Sequence, residues 1–205
     1  MKAVLIALLL APIAAFAGLE EDVGVLQGEW ARIKYQVPAG EQEKAFAALS
    51  READAARAKY PGRAEPQIWY GIIVASHAGA RGGLGALSLA KEAKKALELA
   101  LEADASALEG SAYTSLGSLY YQVPGWPIGF GDNGKARELL HKALALNPQG
   151  LDPNYFLGDF LYRQGDYAGA RQALAKALQA APRANRALAD QGRRKEIESL
   201  LAAMR

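Results

Sequence analysis

Residue types that most often do chemistry are sparse in this chain of 205 residues, which has no cysteine. Its two histidines, His77 and His141, stand far apart, and His141 sits among Leu140, Lys142 and Ala143 as a surface or packing residue would. No histidine pair or acidic cluster has metal-ligand spacing, and no Gly-x-Ser-x-Gly nucleophile turn occurs. The expectation is a protein that is not an enzyme and holds no metal or cofactor.

Two stretches are less generic. His77-Ala78-Gly79-Ala80-Arg81-Gly82-Gly83-Leu84-Gly85 is glycine-rich and precedes an apolar, helix-like segment. Such a loop can present backbone N–H groups to a phosphate, with Arg81 as the side chain to meet it. No strand precedes it and no Gly-Lys-Ser/Thr follows, so a hairpin loop is the simpler reading. The second stretch, Gln122 to Asp132, places Trp126, Ile128 and Phe130 in a segment broken by Pro124, Gly125 and Pro127. Large apolar side chains in a loop either pack on the body of the protein or meet a partner. Trp126 and Phe130 therefore either plug the space between helices, with Asp132 capping the next helix, or close over a groove or form a subunit contact. Asp152-Pro153 reads as a helix start with Asp as cap and Pro at the first position. The run Arg193-Arg194-Lys195, balanced by Glu196 and Glu198, reads as a solvated helix face.

The elements that position these residues are helices. The chain is rich in Ala and Leu and nowhere alternates with period two. Apolar residues recur at helical spacing, as at Ala136, Leu139, Leu140, Ala143 and Leu144. Pro and Gly breaks separate the segments: Pro38, Pro61-Gly62, Gly82-Gly83, Pro124-Gly125, Pro148, Gly165 and Pro182. At the front, Met1-Lys2, an apolar run to Ala11, Pro12 and Ala15-Phe16-Ala17 compose a secretory signal cleaved before Gly18. Glu20, Glu21 and Asp22 follow too closely for a membrane span, which needs about 20 apolar residues. With no cysteine at the cleavage site, no lipid anchor is expected. The net charge of +2, with both signs interspersed, argues against a nucleic-acid partner. These features predict a periplasmic protein held together by packing alone.

The segments repeat. Leu157-Gly158 is followed by Ala170, Leu174, Ala177 and Pro182; Leu116-Gly117 by Ala136, Leu140, Ala143 and Pro148; Tyr70-Gly71 by Ala93, Leu97, Ala100 and Ala105. Tyr35-Gln36-Val37-Pro38 recurs as Tyr121-Gln122-Val123-Pro124, which aligns Ala31 with Gly117 in a degenerate first copy. A small residue in the first helix of a pair lets the second approach closely, and large apolar residues fill the groove. This pattern resembles the tetratricopeptide repeat, a helix pair of about 34 residues. Resemblance is strongest over 110–182, moderate over 65–105 and weak before that. Asn154 replaces the motif's Trp, and the second and third copies carry extra residues between their helices.

The resemblance implies an all-α, tetratricopeptide-like helix-turn-helix solenoid of three to four helix pairs, with repeats at about 20–61, 64–105, 110–148 and 151–182. A capping helix over 187–204, with Ile197, Leu200, Leu201 and Met204 on one face, follows as one would in a stack of this kind. Residues 18–205 would form one domain. In the family, the first helix of each pair lines a concave surface. Carried over, this gives Tyr155, Asp159, Tyr162 and Arg163 in the last repeat. Tyr113, Thr114, Ser118, Tyr121 and Gln122 follow in the middle one, with Ile68, Ile72 and Ser76 before them. Residues 155, 159 and 162 are spaced to share a helix face. Two phenols, a carboxylate and a guanidinium suit a peptide or polar ligand better than a lipid, with an ordinary solvated wall as the alternative. The implied function is a protein- or peptide-binding scaffold in the periplasm. Export, size and the long insertions also resemble the periplasmic repeat subunit of tripartite (TRAP-type) transporters. That resemblance implies a solute or a solute-binding protein as partner, with self-association open.

Overall fold

The computed structural model describes residues 11–204, with side chains described from residue 18 onward except that of Leu84. The expected signal segment falls outside this, apart from the helical backbone of its last residues. Nine helices form among the described residues and no strand does. They are α1 (Ala11–Gln36), α2 (Ala39–Lys59), α3 (Ala64–Arg81), α4 (Gly83–Asp104), α5 (Ala107–Gln122), α6 (Asn133–Leu146), α7 (Leu151–Arg163), α8 (Tyr167–Leu178) and α9 (Ala187–Ala203). The first eight pack as four antiparallel pairs in an all-α solenoid, and α9 follows as a lone helix.

Within three of the pairs one packing device recurs. A Cβ on Gly71 would lie 2.7 Å from Cγ of Leu97, on Gly117 3.0 Å from that of Leu140, and on Gly158 2.6 Å from that of Leu174. Ala93, Ala136 and Ala170 come nearly as close through their carbonyls, and all six partners are fully buried. The first helix thus has a notch that receives a leucine from the second, and the small residues set the interhelical distance. α1 instead buries Leu19, Val23, Leu26, Trp30 and Ile33, steps of four and three that form one stripe.

The glycine-rich stretch at 77–85 is not a loop. α3 continues to Arg81 and α4 begins at Gly83, so the additional residues lengthen both helices. Gly82 and Gly83, with φ of 64° and 60°, make the whole reversal. His77 and Ala78 are buried in the longer helix, because alanine-rich flanks and tertiary contacts outweigh the helix cost of Gly79. Arg81 lies 3.9 Å from Glu43 in an exposed pair rather than facing an anion loop. The 122–132 insertion is a true loop. Gly131 N–H donates to the Pro124 carbonyl at 2.9 Å and Asp132 N–H to that of Tyr120 at 2.8 Å, which ties the loop to the end of α5.

α7 begins one residue before Asp152, with Gly150 at the cap, so Asp152 is not the capping residue. Asn154, at the motif's Trp position, is 2 % exposed. Its amide donates to the carbonyls of Pro148 (3.1 Å) and Gly150 (2.8 Å), binding the turn between repeats. At the start of α5, Leu108, Glu109 and Gly110 all adopt left-handed φ, from 48° to 77°. Regular helix then runs from Ser111.

α9 packs on α7 and α8, as a cap would, and also on α1. Tyr35 of α1 lies against Gly192, where any Cβ would enter its ring, and Lys34 reaches Glu196 at 3.7 Å. The solenoid therefore curves until its last helix touches its first.

Candidate functional site, a concave cavity

Four first helices, α1, α3, α5 and α7, line the inner side of the curve, and α9 bridges the gap between its ends. The space between them is a half-open cavity of about 980 Å³. Its walls alternate aromatic and hydroxyl side chains: Trp30 and Trp69, then Ser76, Thr114 and Ser118, then Tyr155 and Phe156. Trp30 and Trp69 meet edge to face at 6.0 Å, and Trp30 Nε1 donates to Ser76 Oγ at 2.8 Å. A smaller groove of about 680 Å³ opens between α1, α7 and α9, and shares Tyr155, Asp159 and Glu196 with the cavity.

The residues expected at the concave face divide into two sets. Thr114, Ser118, Gln122, Tyr155, Asp159 and Arg163 line the cavity, as do Ile72 and Ser76. Tyr121 stands behind the wall on Phe160 and donates its hydroxyl to Asp159 at 2.7 Å. Arg163 Nε donates to the same carboxylate oxygen at 3.0 Å. Burial, and then the Asp159 carboxylate, push the Tyr121 phenol well above its ordinary pKa, so it acts as a fixed donor. Tyr162 turns away and packs on Tyr167 at 5.6 Å. The lining stripe of α7 is thus 155, 159 and 163, since the curvature brings the i, i+4, i+8 row inward. Ile68 is fully buried in the core, and Tyr113 packs under Lys142 on the outer side.

The 122–132 loop does not line the cavity beyond its first residue, Gln122. Phe130 packs edge to face on Tyr120 at 5.5 Å, and Asp132 caps α6 by accepting from the Lys135 N–H at 3.0 Å. Trp126 is 90 % exposed and plugs nothing.

Between α7 and α9 lies a cluster that the sequence pattern did not single out. Arg183 reaches Asp152 at 2.6 Å and Asp190 at 2.6 Å, while Arg193 reaches Asp152 at 2.8 Å and Glu196 at 2.6 Å. Arg193 also lies over the rings of Tyr155 (4.3 Å) and Phe156 (4.8 Å). Of the 193–195 run, expected as a solvated face, only Lys195 is exposed. Arg193 is 7 % exposed, and Arg194 donates to the Leu178 and Ala180 carbonyls beyond α8. Burial opposes ionisation of Asp152, but Arg193 and Arg183 outweigh it and hold its carboxyl at about 2. Burial pushes the Tyr155 phenol up to about 12, with Arg193 opposing. The seam is built of fixed charges at neutral pH. The spacing of Asp190 and Arg193 on one helix was visible in sequence, but their partners lie far along the chain.

Among the described residues, no three His, Cys, Asp or Glu side chains are placed to share a metal ion. No described helix is long and apolar enough to cross a membrane.

Residues 128–193, from the end of the loop into α9, match the tetratricopeptide repeat family. None of the curated proteins matches the sequence. Among solved structures, the chain is similar to a thermophilic TPR protein of Thermus thermophilus, with TM-score 0.59 and 16 % identity over 94 % of this chain and 95 % of that one. It is also similar to MamA (TM-score 0.46, 20 % identity, 80 % and 91 % covered) and to PilF of Pseudomonas aeruginosa (0.37, 16 %, 91 % and 90 %). The fold is thus a tetratricopeptide-like solenoid, with repeat sequence signatures strongest in its C-terminal half.

Proposed function

We propose that this chain is an exported interaction scaffold that holds a segment of a protein partner in its concave cavity. The carrying observation is convergence. Four first helices direct aromatic faces and hydroxyls into one space, where aromatics supply contact area and Ser76, Thr114 and Ser118 can exchange hydrogen bonds with a backbone. The repeat signature supports this, since solenoids of this kind carry binding on their inner curve. Export rests on the residue pattern of 1–17. Cell fractionation with N-terminal sequencing checks it, a periplasmic chain starting at Gly18 being the expected result.

A photo-crosslinking residue at Ser118 tests the cavity against one at Lys91 on the exposed face of α4. Crosslinks to a protein partner from 118 but not from 91 are expected. Equal crosslinking from both removes the cavity from the reading. One observation favours a second function: α9 walls one end of the space and leaves a half-open cavity within the size range of a small-molecule site, as a solute-binding subunit of a tripartite transporter would need. Thermal-shift screening against small acids and sugars decides that point, and no stabilisation by any of them ends it. Trp126 and Ile128, 90 % and 66 % exposed, offer a contact to a second copy or a partner surface. Light scattering of Trp126→Ala beside wild type reads self-association directly.

A further inference from the structure

Five basic side chains line the cavity: Lys34, Arg163, Arg183, Arg186 and Arg193. Four have carboxylate partners. Lys34 reaches Glu196, Arg163 reaches Asp159, Arg183 holds Asp152 and Asp190, and Arg193 holds Asp152 and Glu196. Among the described residues Arg186 has neither an ion-pair partner nor a hydrogen bond at its buried Nε. Its guanidinium lies over the Trp69 ring at 5.0 Å. The Nε1–H of Trp69 is likewise buried and unpartnered. Two unmet donors, one of them charged, thus sit together in the wall.

A half-buried guanidinium without a counter-ion is costly, and an unmet buried N–H adds to the cost. Burial, and then Arg183, disfavour the charge on Arg186, and the more distant Asp152 and Asp190 offset them only in part. Arginine does not escape by losing its proton. The remaining remedy is an anion. We propose that the cavity contains an anion site built on Arg186 and Trp69 that takes a single carboxylate carried on an apolar body.

The choice of carboxylate follows from the charge balance. The other four lining cations each contact a carboxylate, and Glu109 lies on the same wall, so Arg186 alone is left to meet an anion and the second charge of a phosphate would find no free cation. A planar carboxylate also fits the guanidinium fork. The apolar body follows from the surrounding wall of Trp69, Ile72, Ala75 and Phe156. A free organic acid and the terminal carboxylate of a peptide present the same chemistry. The site lies in the cavity proposed to bind a partner but does not require that partner to be a peptide.

Calorimetric titration of the full chain tests this with two matched pairs. One is isocaproate against its neutral amide, the other acetyl-Gly-Ser-Leu with a free or an amidated C-terminus. Each acid form is expected to bind about ten-fold or more tightly than its amide, and Arg186→Gln to abolish the difference. Arg186→Lys should retain part of it. Trp69→Phe, which loses the N–H together with part of the ring face, should weaken the acid by a clearly larger factor than the amide, and this arm stands even if Arg186→Gln fails to fold. Binding of isocaproate identifies a free acid as the source, and binding of the free-ended peptide alone identifies a chain terminus. Equal binding of acid and amide, no binding of either acid at millimolar concentration, or full acid binding by Arg186→Gln overturns the anion site. Crosslinking through Ser118 that is indifferent to Arg186→Gln and to C-terminal amidation would leave the partner-binding reading standing while removing this one.

Discussion

At the scale of single residues, similar side chains have opposite roles according to what surrounds them. Trp126 and Phe130 share one loop, yet Phe130 locks it to Tyr120 while Trp126 stands in solvent. Trp126→Ala should move stability by no more than about 0.5 kcal/mol, and Phe130→Ala should cost about 2 kcal/mol or more. Urea denaturation of both variants checks the contrast. Asp152 is the hub of the α7–α9 cluster, and Asp152→Asn leaves Arg183 and Arg193 short of a partner. Breaking a buried pair costs about 3 to 5 kcal/mol. With the Asp152 side chain 27 % exposed, we expect a smaller loss, about 2 to 3 kcal/mol. Its carboxyl ionises more readily in the folded chain than its ordinary 3.8, so protons bind the unfolded state first. The stability it contributes is complete above 3.8 and is lost as pH falls toward about 2. Wild-type urea midpoints should fall across that window, and Asp152→Asn should flatten the fall.

At the scale of elements, the helix pair is set by a notch and a leucine. A methyl on Gly158 would meet Leu174 Cγ at 2.6 Å, whereas one on Gly117 would meet Leu140 Cγ at 3.0 Å. Overpacking costs about 1 to 3 kcal/mol, and Ala for Gly inside a helix returns up to about 1 kcal/mol. Gly158→Ala should therefore destabilise clearly while Gly117→Ala is close to neutral, and thermal melts of the two rank them. A reversed order would mean that leucine repacking, not notch depth, sets the cost. The repeat positions were legible in sequence for this reason: close approach of two helices demands small residues at fixed offsets. The lengths of α3 and α4 were not. Gly79, Gly82, Gly83 and Gly85 mark a loop by composition alone, and only the packing of His77 and Ala78 against neighbouring helices carries α3 on to Arg81.

At the scale of the whole molecule, the concave face is a chamber because α9 returns to α1. That contact rests on Tyr35 lying against Gly192, with Lys34 reaching Glu196 beside it. Gly192→Val should push α9 off α1 while the four pairs remain packed. Hydrogen exchange is expected to quicken in α9 and on the facing side of α1, with α3 and α4 unchanged, and the radius of gyration to rise. Unchanged exchange in α9 would show that α7 and α8 alone hold it. The acid sensitivity of Asp152 acts at the other side of α9, where it meets α7, so low pH should loosen α9 from α7 while Gly192→Val loosens it from α1.

Sequence by itself determined the all-helical class, the pairing of helices and the hydroxyl-rich stripe of α5, because helical periodicity and small-residue offsets are local properties of the chain. It also placed Tyr155, Asp159 and Arg163 on the inner helices through the repeat resemblance. Only the tertiary structure decided that Tyr162 faces outward, that Arg193 is buried, that Arg183 and Arg193 meet on Asp152, and that Arg186 lies over Trp69. These outcomes depend on the curvature accumulated over four pairs and on the return of α9, which sum small rotations between distant elements and leave no periodic trace in the residues that finally touch.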